Sequence, residues 1–136
     1  MSLNALAQAI HDNAESKGFW VADRNMGEML MLAVSELSEA LEEHRDGKPN
    51  EYVPYHAPGC AVSDWRLYGS TDPDHPDPQP ECVRDDCKPE GVAVEVADCI
   101  IRCLDILHSL GVDIDEVVAR KMAYNATRPH KHGKAY

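Results

Sequence analysis

Between residues 48 and 90 the sequence carries most of its prolines, with Asp-Pro-Asp-His-Pro-Asp-Pro-Gln-Pro at 72–80. Proline fixes φ and removes an amide donor, so no regular helix can run through this stretch. The segments on either side have the opposite character, with apolar residues recurring at three- and four-residue intervals. The chain is therefore constrained to fold as helices before and after a long irregular insertion. A connection of this length in a compact domain usually serves a function or lacks fixed structure. Short extended pieces are expected near Tyr52–Tyr55 and Trp65–Tyr68.

Four main helices are expected. In residues 2–17, Leu3, Leu6, Ala7, Ile10 and Ala14 follow a helical period, Ser2 suits an N-cap and Gly18 a stop. Phe19 and Trp20 follow at once; they plug the end of a helix bundle, or one ring stacks on a base. The second helix runs from Met26 to Arg45, with Leu30, Val34, Leu37 and Leu41 as one apolar stripe. Asp46-Gly47 ends it. The third spans about Pro89 to Leu110, with Val92, Val96, Cys99, Ile100, Cys103, Leu104 and Leu107 as a broad apolar face and Gly111 at its end. Asp113 and Glu116 open the fourth in a pattern close to a capping box, and the helical pattern continues until Arg128-Pro129. The fold class is thus all-α: an antiparallel bundle of about four helices in a single domain of 136 residues, interrupted by the insertion over 48–90. Four short helices bury little surface alone, so an oligomer is expected to complete the bundle.

Two helical stretches carry paired acids: Glu36 and Glu39 in Ser35-Glu36-Leu37-Ser38-Glu39, and Glu95 and Asp98 in Glu95-Val96-Ala97-Asp98. Positions three apart lie on one helix face, so each pair can aim two oxygens at one spot. Charged helical residues usually face water. Here both pairs adjoin the widest apolar faces of the chain, on helices expected to be neighbours. Lys or Arg partners at i+4 are missing except for Arg102 after Asp98. Four carboxylates gathered between two helices repel unless a cation sits among them, and Mg²⁺ favours such hard oxygen ligands. A di-iron carboxylate bundle would use Glu-x-x-His pairs, which neither stretch supplies. Lys121 and Asn125 share a face with the approach to Arg128, and cations beside a carboxylate–metal site are what a polyphosphate needs.

The net charge of −11 disfavours nucleic-acid polymers and membrane surfaces as partners. No apolar run approaches the ~20 residues of a transmembrane helix. His11, Asp12 and Glu15 interrupt the opening stretch, which therefore reads as no secretory leader. With five cysteines, Cys99 and Cys103 among them in a helical pattern, a disulfide framework is not expected and a reducing cytoplasm is. His56, Cys60, Cys82 and Cys87 in the insertion form a candidate structural Zn²⁺ set, with His75 as a competing ligand. Their spacing is looser than the strong C-x2-C signature, and a loop with spare thiols is the plain alternative.

Glu36-x-x-Glu39 followed by Glu95-x-x-Asp98 resembles the signature of the MazG-like all-α nucleoside triphosphate pyrophosphohydrolases. Glu95-Val96-Ala97-Asp98-Cys99-Ile100-Ile101-Arg102 is similar to that family's third-helix motif, and Lys121 to Gly133 resembles its closing segment. The likeness covers residues 1–47 and 89–136. Many members have Glu-Glu-x-x-Glu in the second helix, where this chain has Ser35. A hydroxyl lacks the charge that a water-activating role would use there, although plain Glu-x-x-Glu relatives exist in the broader family. The resemblance implies a homodimer or homotetramer that cleaves a nucleoside triphosphate between its α and β phosphates. It implies Mg²⁺, with Mn²⁺ as a substitute, on Glu36, Glu39, Glu95 and Asp98, and one of these carboxylates as general base. Lys121, Asn125 and Arg128 would take the phosphates, and Trp20 and Asn25 the base and sugar. The alternative is a non-catalytic helical module of the same fold that binds a nucleotide or a protein.

Overall fold

In a computed structural model, helices α1 (Leu3–Ser16), α2 (Met26–Arg45), α3 (Val92–Ser109) and α4 (Ile114–Ala126) flank two short strands, β1 (Tyr52–Tyr55) and β2 (Asp64–Leu67). The structure describes residues 2–22, 24–48, 50–55, 64–67 and 88–130. The helical character expected on both sides of the proline-dense stretch is thus observed. The candidate zinc ligands His56, Cys60, Cys82 and Cys87 lie outside the described residues.

Most helix ends sit where their chemistry puts them. Ser2 Oγ accepts from the Ala5 amide and caps α1. At the other end Gly18 has φ +81°, while the Gly18 and Phe19 amides donate to the Glu15 and Ala14 carbonyls. That reversal satisfies two carbonyls the helix would otherwise leave bare. Gly47, at φ +68°, closes α2 in the same way, with Lys48 N–H donating to Glu43 O. The third helix begins at Val92, later than the Pro89 start that the sequence suggests. Gly91 is the reason: it is buried at φ +112°, outside helical space, and its carbonyl accepts from Val94 and Glu95.

The chain divides into two compact units, Met1–Met29 with Ile101–Tyr136, and Leu30–Ile100. In the first, Ala7, Leu104 and Ile114 form the buried core, with Leu3, Ile10, Leu107 and Val118 packed against it. Complete burial of a side chain the size of Ile114 contributes about 1.5–3 kcal/mol. The N-termini of α1 and α4 cap each other. Asp115 accepts from the Leu3 and Asn4 amides at 3.0 and 3.3 Å, while Asn4 Oδ1 accepts from the Ile114 amide at 2.8 Å.

In the second unit β1 pairs antiparallel with β2, Tyr52 opposite Leu67 and Tyr55 opposite Asp64. Pro54 is tolerated because a two-stranded ribbon has only edge strands. The Asn50 carbonyl accepts from the Ala93 amide, which ties the chain before β1 to the start of α3. On α2 the stripe Leu30, Val34, Leu37 and Leu41 is half-exposed, while Met29, Ala33, Glu36 and Ala40 are buried. The face that turns inward carries one methionine, two alanines and one carboxylate, rather than the leucine-rich stripe. None of the described helices is long and apolar enough to cross a membrane.

Candidate metal centre

Glu36, Glu39 and Glu95 each offer a carboxylate oxygen within 4.8 Å of the others. The three belong to the unit Leu30–Ile100. Glu36 and Glu39 are brought to one side of α2 by their three-residue spacing. Glu95 lies in the first turn of α3, whose start is set by Gly91. Glu36 and Glu95 are buried, whereas Glu39 is exposed, so the cluster has a solvent side.

The site is electrostatically tense. Two full charges 4 Å apart repel by about 4 kcal/mol at an effective dielectric near 20. At Glu95, burial pushes the carboxyl above the usual glutamate range, and the charges of Glu39, Asp98 and Glu36 push the same way. Lys88 opposes them, with Nζ 3.8 Å from Glu95 Oε1. That ammonium is 62% exposed and faces Oε1. Among the described residues, Glu95 Oε2 is buried with no hydrogen-bond partner. A buried carboxylate oxygen without a partner, on a residue beside like charges, is stabilised by a proton or by a cation.

Asp98 stands outside the close trio but near enough to act on Glu95 through its charge. Ser35, beside the trio, turns its hydroxyl to the Leu32 carbonyl at 2.8 Å. The other expected residues lie in the unit formed by Met1–Met29 and Ile101–Tyr136. Lys121, Asn125 and Arg128 are all exposed, on α4 or just past its end, and Lys121 Nζ sits 5.3 Å from the Tyr124 ring centre. Asn25 Oδ1 accepts from the Glu28 amide and caps α2. Trp20 donates its indole N–H to Asp105 Oδ2 at 3.1 Å, and Phe19 is 62% exposed. Of the two neighbouring rings, Trp20 lies against His11 and Arg24, while Phe19 is mostly exposed.

Two features escape the sequence pattern. Lys88 precedes α3, so its seven-residue separation from Glu95 does not place the two on one helix face. Asp105 has the heptad spacing from Asp98, yet it binds His11 Nδ1 at 2.7 Å as well as Trp20. His11 in turn lies against the rings of Trp20 and His108, with centres 4.9 and 4.4 Å away. Compared with known proteins, the chain matches no family model, no curated protein and no solved structure.

Proposed function

We propose that the chain is a Mg²⁺-dependent nucleotide pyrophosphohydrolase that converts a nucleoside triphosphate to the monophosphate and pyrophosphate. The observation that carries this reading is the Glu36–Glu39–Glu95 trio, together with a Glu95 Oε2 that is buried and has no hydrogen-bond partner among the described residues. All three donors are hard oxygens, the set that Mg²⁺ or Mn²⁺ takes and that zinc with thiolates does not need. Mg²⁺ characteristically uses a few carboxylates and completes its shell with water and phosphate oxygens, which couples such a site to a polyphosphate.

In this reading Glu36, Glu39 and Glu95 would hold the ion, with Asp98 adding negative charge beside them. Bound there, Mg²⁺ supplies charge neutralisation on phosphate oxygens and a more acidic water. One of the four carboxylates accepts the proton of the attacking water. By the resemblance, Lys121, Asn125 and Arg128, exposed residues of their own unit, would supply donors for phosphate oxygens. Trp20, whose N–H is held by Asp105 and whose ring lies against His11 and the Arg24 guanidinium, would meet the base with the ring surface those contacts leave. Asn25 offers its amide N–H to the sugar, since its oxygen caps α2. A bundle completed as a homodimer or homotetramer belongs to the same reading. A nucleotide substrate and unbridged thiols at Cys99 and Cys103 suit the cytoplasm.

The test is pyrophosphate release from a panel of nucleoside triphosphates with Mg²⁺. Turnover of at least one, lowered roughly 100-fold or more by Glu95→Gln, is expected. Absence of pyrophosphate with every nucleotide rejects the enzyme. A second reading, a nucleotide-binding module without turnover, draws on Ser35, whose hydroxyl is bonded to its own helix backbone. Saturable nucleotide binding with no pyrophosphate would favour it.

A further inference from the structure

Lys88 sets a cation against the acidic trio. Its Nζ stands 3.8 Å from Glu95 Oε1, close enough for charge but beyond the roughly 2.7–3.2 Å of an N–H···O hydrogen bond. The two ends of this contact differ: the Glu95 side chain is 5% exposed and the Lys88 side chain 62%. The carboxylate is fixed in the protein, while the ammonium keeps most of its water. A partly exposed pair of that kind is weak and parts readily.

The backbone and the head of Lys88 are held differently. Pro89 restricts the residue before it to extended conformations. Two residues further on, Gly91 is buried at φ +112°, and its carbonyl accepts from the Val94 and Glu95 amides, which ties the segment to the first turn of α3. From that base the ammonium swings on a flexible four-carbon stem. Lys88 and all three carboxylates belong to the unit Leu30–Ile100, whereas Lys121 and Arg128 belong to the other.

We propose, on the metal-centre reading of Glu36, Glu39 and Glu95, that Lys88 is an exchangeable counter-ion: it neutralises Glu95 in the metal-free chain, yields that carboxylate to a divalent cation, and then binds the phosphate chain that arrives with the ion. Charge drives both halves. An ammonium and a divalent cation compete for one carboxylate, and the divalent cation carries twice the charge. A polyphosphate that approaches from the exposed Glu39 side meets acids, so it needs positive charge beyond what the ion supplies. A lysine ammonium is a point charge suited to a phosphate oxygen, and that of Lys88 already reaches solvent.

Both halves are measured on the full chain at fixed ionic strength. Metal affinity is read without phosphate, from the electron paramagnetic resonance of free Mn²⁺, with Mg²⁺ as competitor. Lys88→Met nearly keeps the length of the side chain and removes its charge. It should tighten Mn²⁺ binding about two- to fivefold, the scale of a partly exposed ion pair. The same substitution should weaken the binding of inorganic tripolyphosphate in saturating Mg²⁺ by about fivefold or more. Lys88→Arg keeps the charge and should bring both affinities back to within about twofold of wild type. Lys48→Met removes an equal charge from the same unit, beside Glu43 and Asp46, and should change neither affinity. Mn²⁺ binding unchanged or weakened in Lys88→Met, tripolyphosphate binding equal to wild type, or the same shifts from Lys48→Met would each overturn the exchange and leave the metal centre standing. A wild type that binds no Mn²⁺ would overturn both.

Discussion

Glu95 sets the pH behaviour of the site. Its carboxyl is held above the unfolded value of 4.5, chiefly by burial, so the folded chain keeps a proton that the unfolded chain has already released. The contribution to stability is complete below 4.5 and declines as pH rises through the folded pKa. Metal-free wild type should therefore lose stability across that interval faster than Glu95→Gln, whose amide cannot ionise. Denaturant midpoints over pH 4–8 in chelator check this, and parallel curves would dismiss it. Asp105 makes a different prediction. Truncation in Asp105→Ala strands the His11 ring nitrogen and the Trp20 indole N–H, which should cost about 2–3 kcal/mol and change Trp20 fluorescence. Emission identical to wild type would mean that the bond is not maintained in solution. The Glu36–Glu39 pair was readable because a three-residue spacing on a helix is geometry that sequence states directly; that Glu95 joins it while Asp98 stands outside was not, because spacing along one helix does not say which turn of another meets it. Lys88 and the Asp105 network were not readable, because they depend on which helix turn meets which, and composition does not carry that.

At the scale of elements, the paired N-termini of α1 and α4 are a stability device. Asp115 closes two amides of α1 and Asn4 closes one of α4, so either substitution exposes donors on the helix it does not belong to. Asp115→Ala should cost about 1–2 kcal/mol, within the range of a helix cap, and amide exchange should quicken in the first turn of α1. Exchange altered only within α4 would contradict the reciprocal arrangement. Asp113 adds a pH dependence of opposite sign to that of Glu95. Its carboxyl is held below the ordinary aspartate range by bonds from Asn4 and the Glu116 amide, so its contribution is present above 3.8 and lost as pH falls through the folded pKa. Asp113→Asn should flatten the acid limb of a pH–stability curve. Helix boundaries were legible wherever a cap or a positive-φ glycine marks them, as at Ser2, Gly18, Gly47 and Asp113. The start of α3 was misread because Pro89 suits a first turn but Gly91 interrupts the backbone after it. The inward face of α2 was hidden for another reason. Hydrophobicity nominates Leu30, Val34, Leu37 and Leu41, whereas the buried positions go to Met29, Ala33, Glu36 and Ala40.

For the whole molecule, the decisive quantity is how a cation couples to folding. The trio and its orphaned oxygen lie within one compact unit, so an ion there should stabilise that unit first. By mass action the gain is about 2.7 kcal/mol when free Mg²⁺ is 100 times its dissociation constant, enough to raise a melting temperature by several degrees. Wild type should respond to Mg²⁺ beyond a NaCl control of matched ionic strength, and Glu95→Gln should not. Asp98→Ala removes a charge near Glu95 without removing a trio ligand. It should raise the metal-free melting temperature by relieving repulsion and keep part of the Mg²⁺ response, even if turnover is lost. Amide exchange then shows how far the stabilisation spreads. Protection gained over α2 from Leu30 onward and over α3 up to Ile100, with α1 and α4 unchanged, would mean that the two units open separately. Equal gains throughout would mean one cooperative transition. A wild-type chain whose exchange and melting are both indifferent to Mg²⁺ would leave its carboxylates balanced by Lys88 and protons alone, and the metal centre would have to be given up.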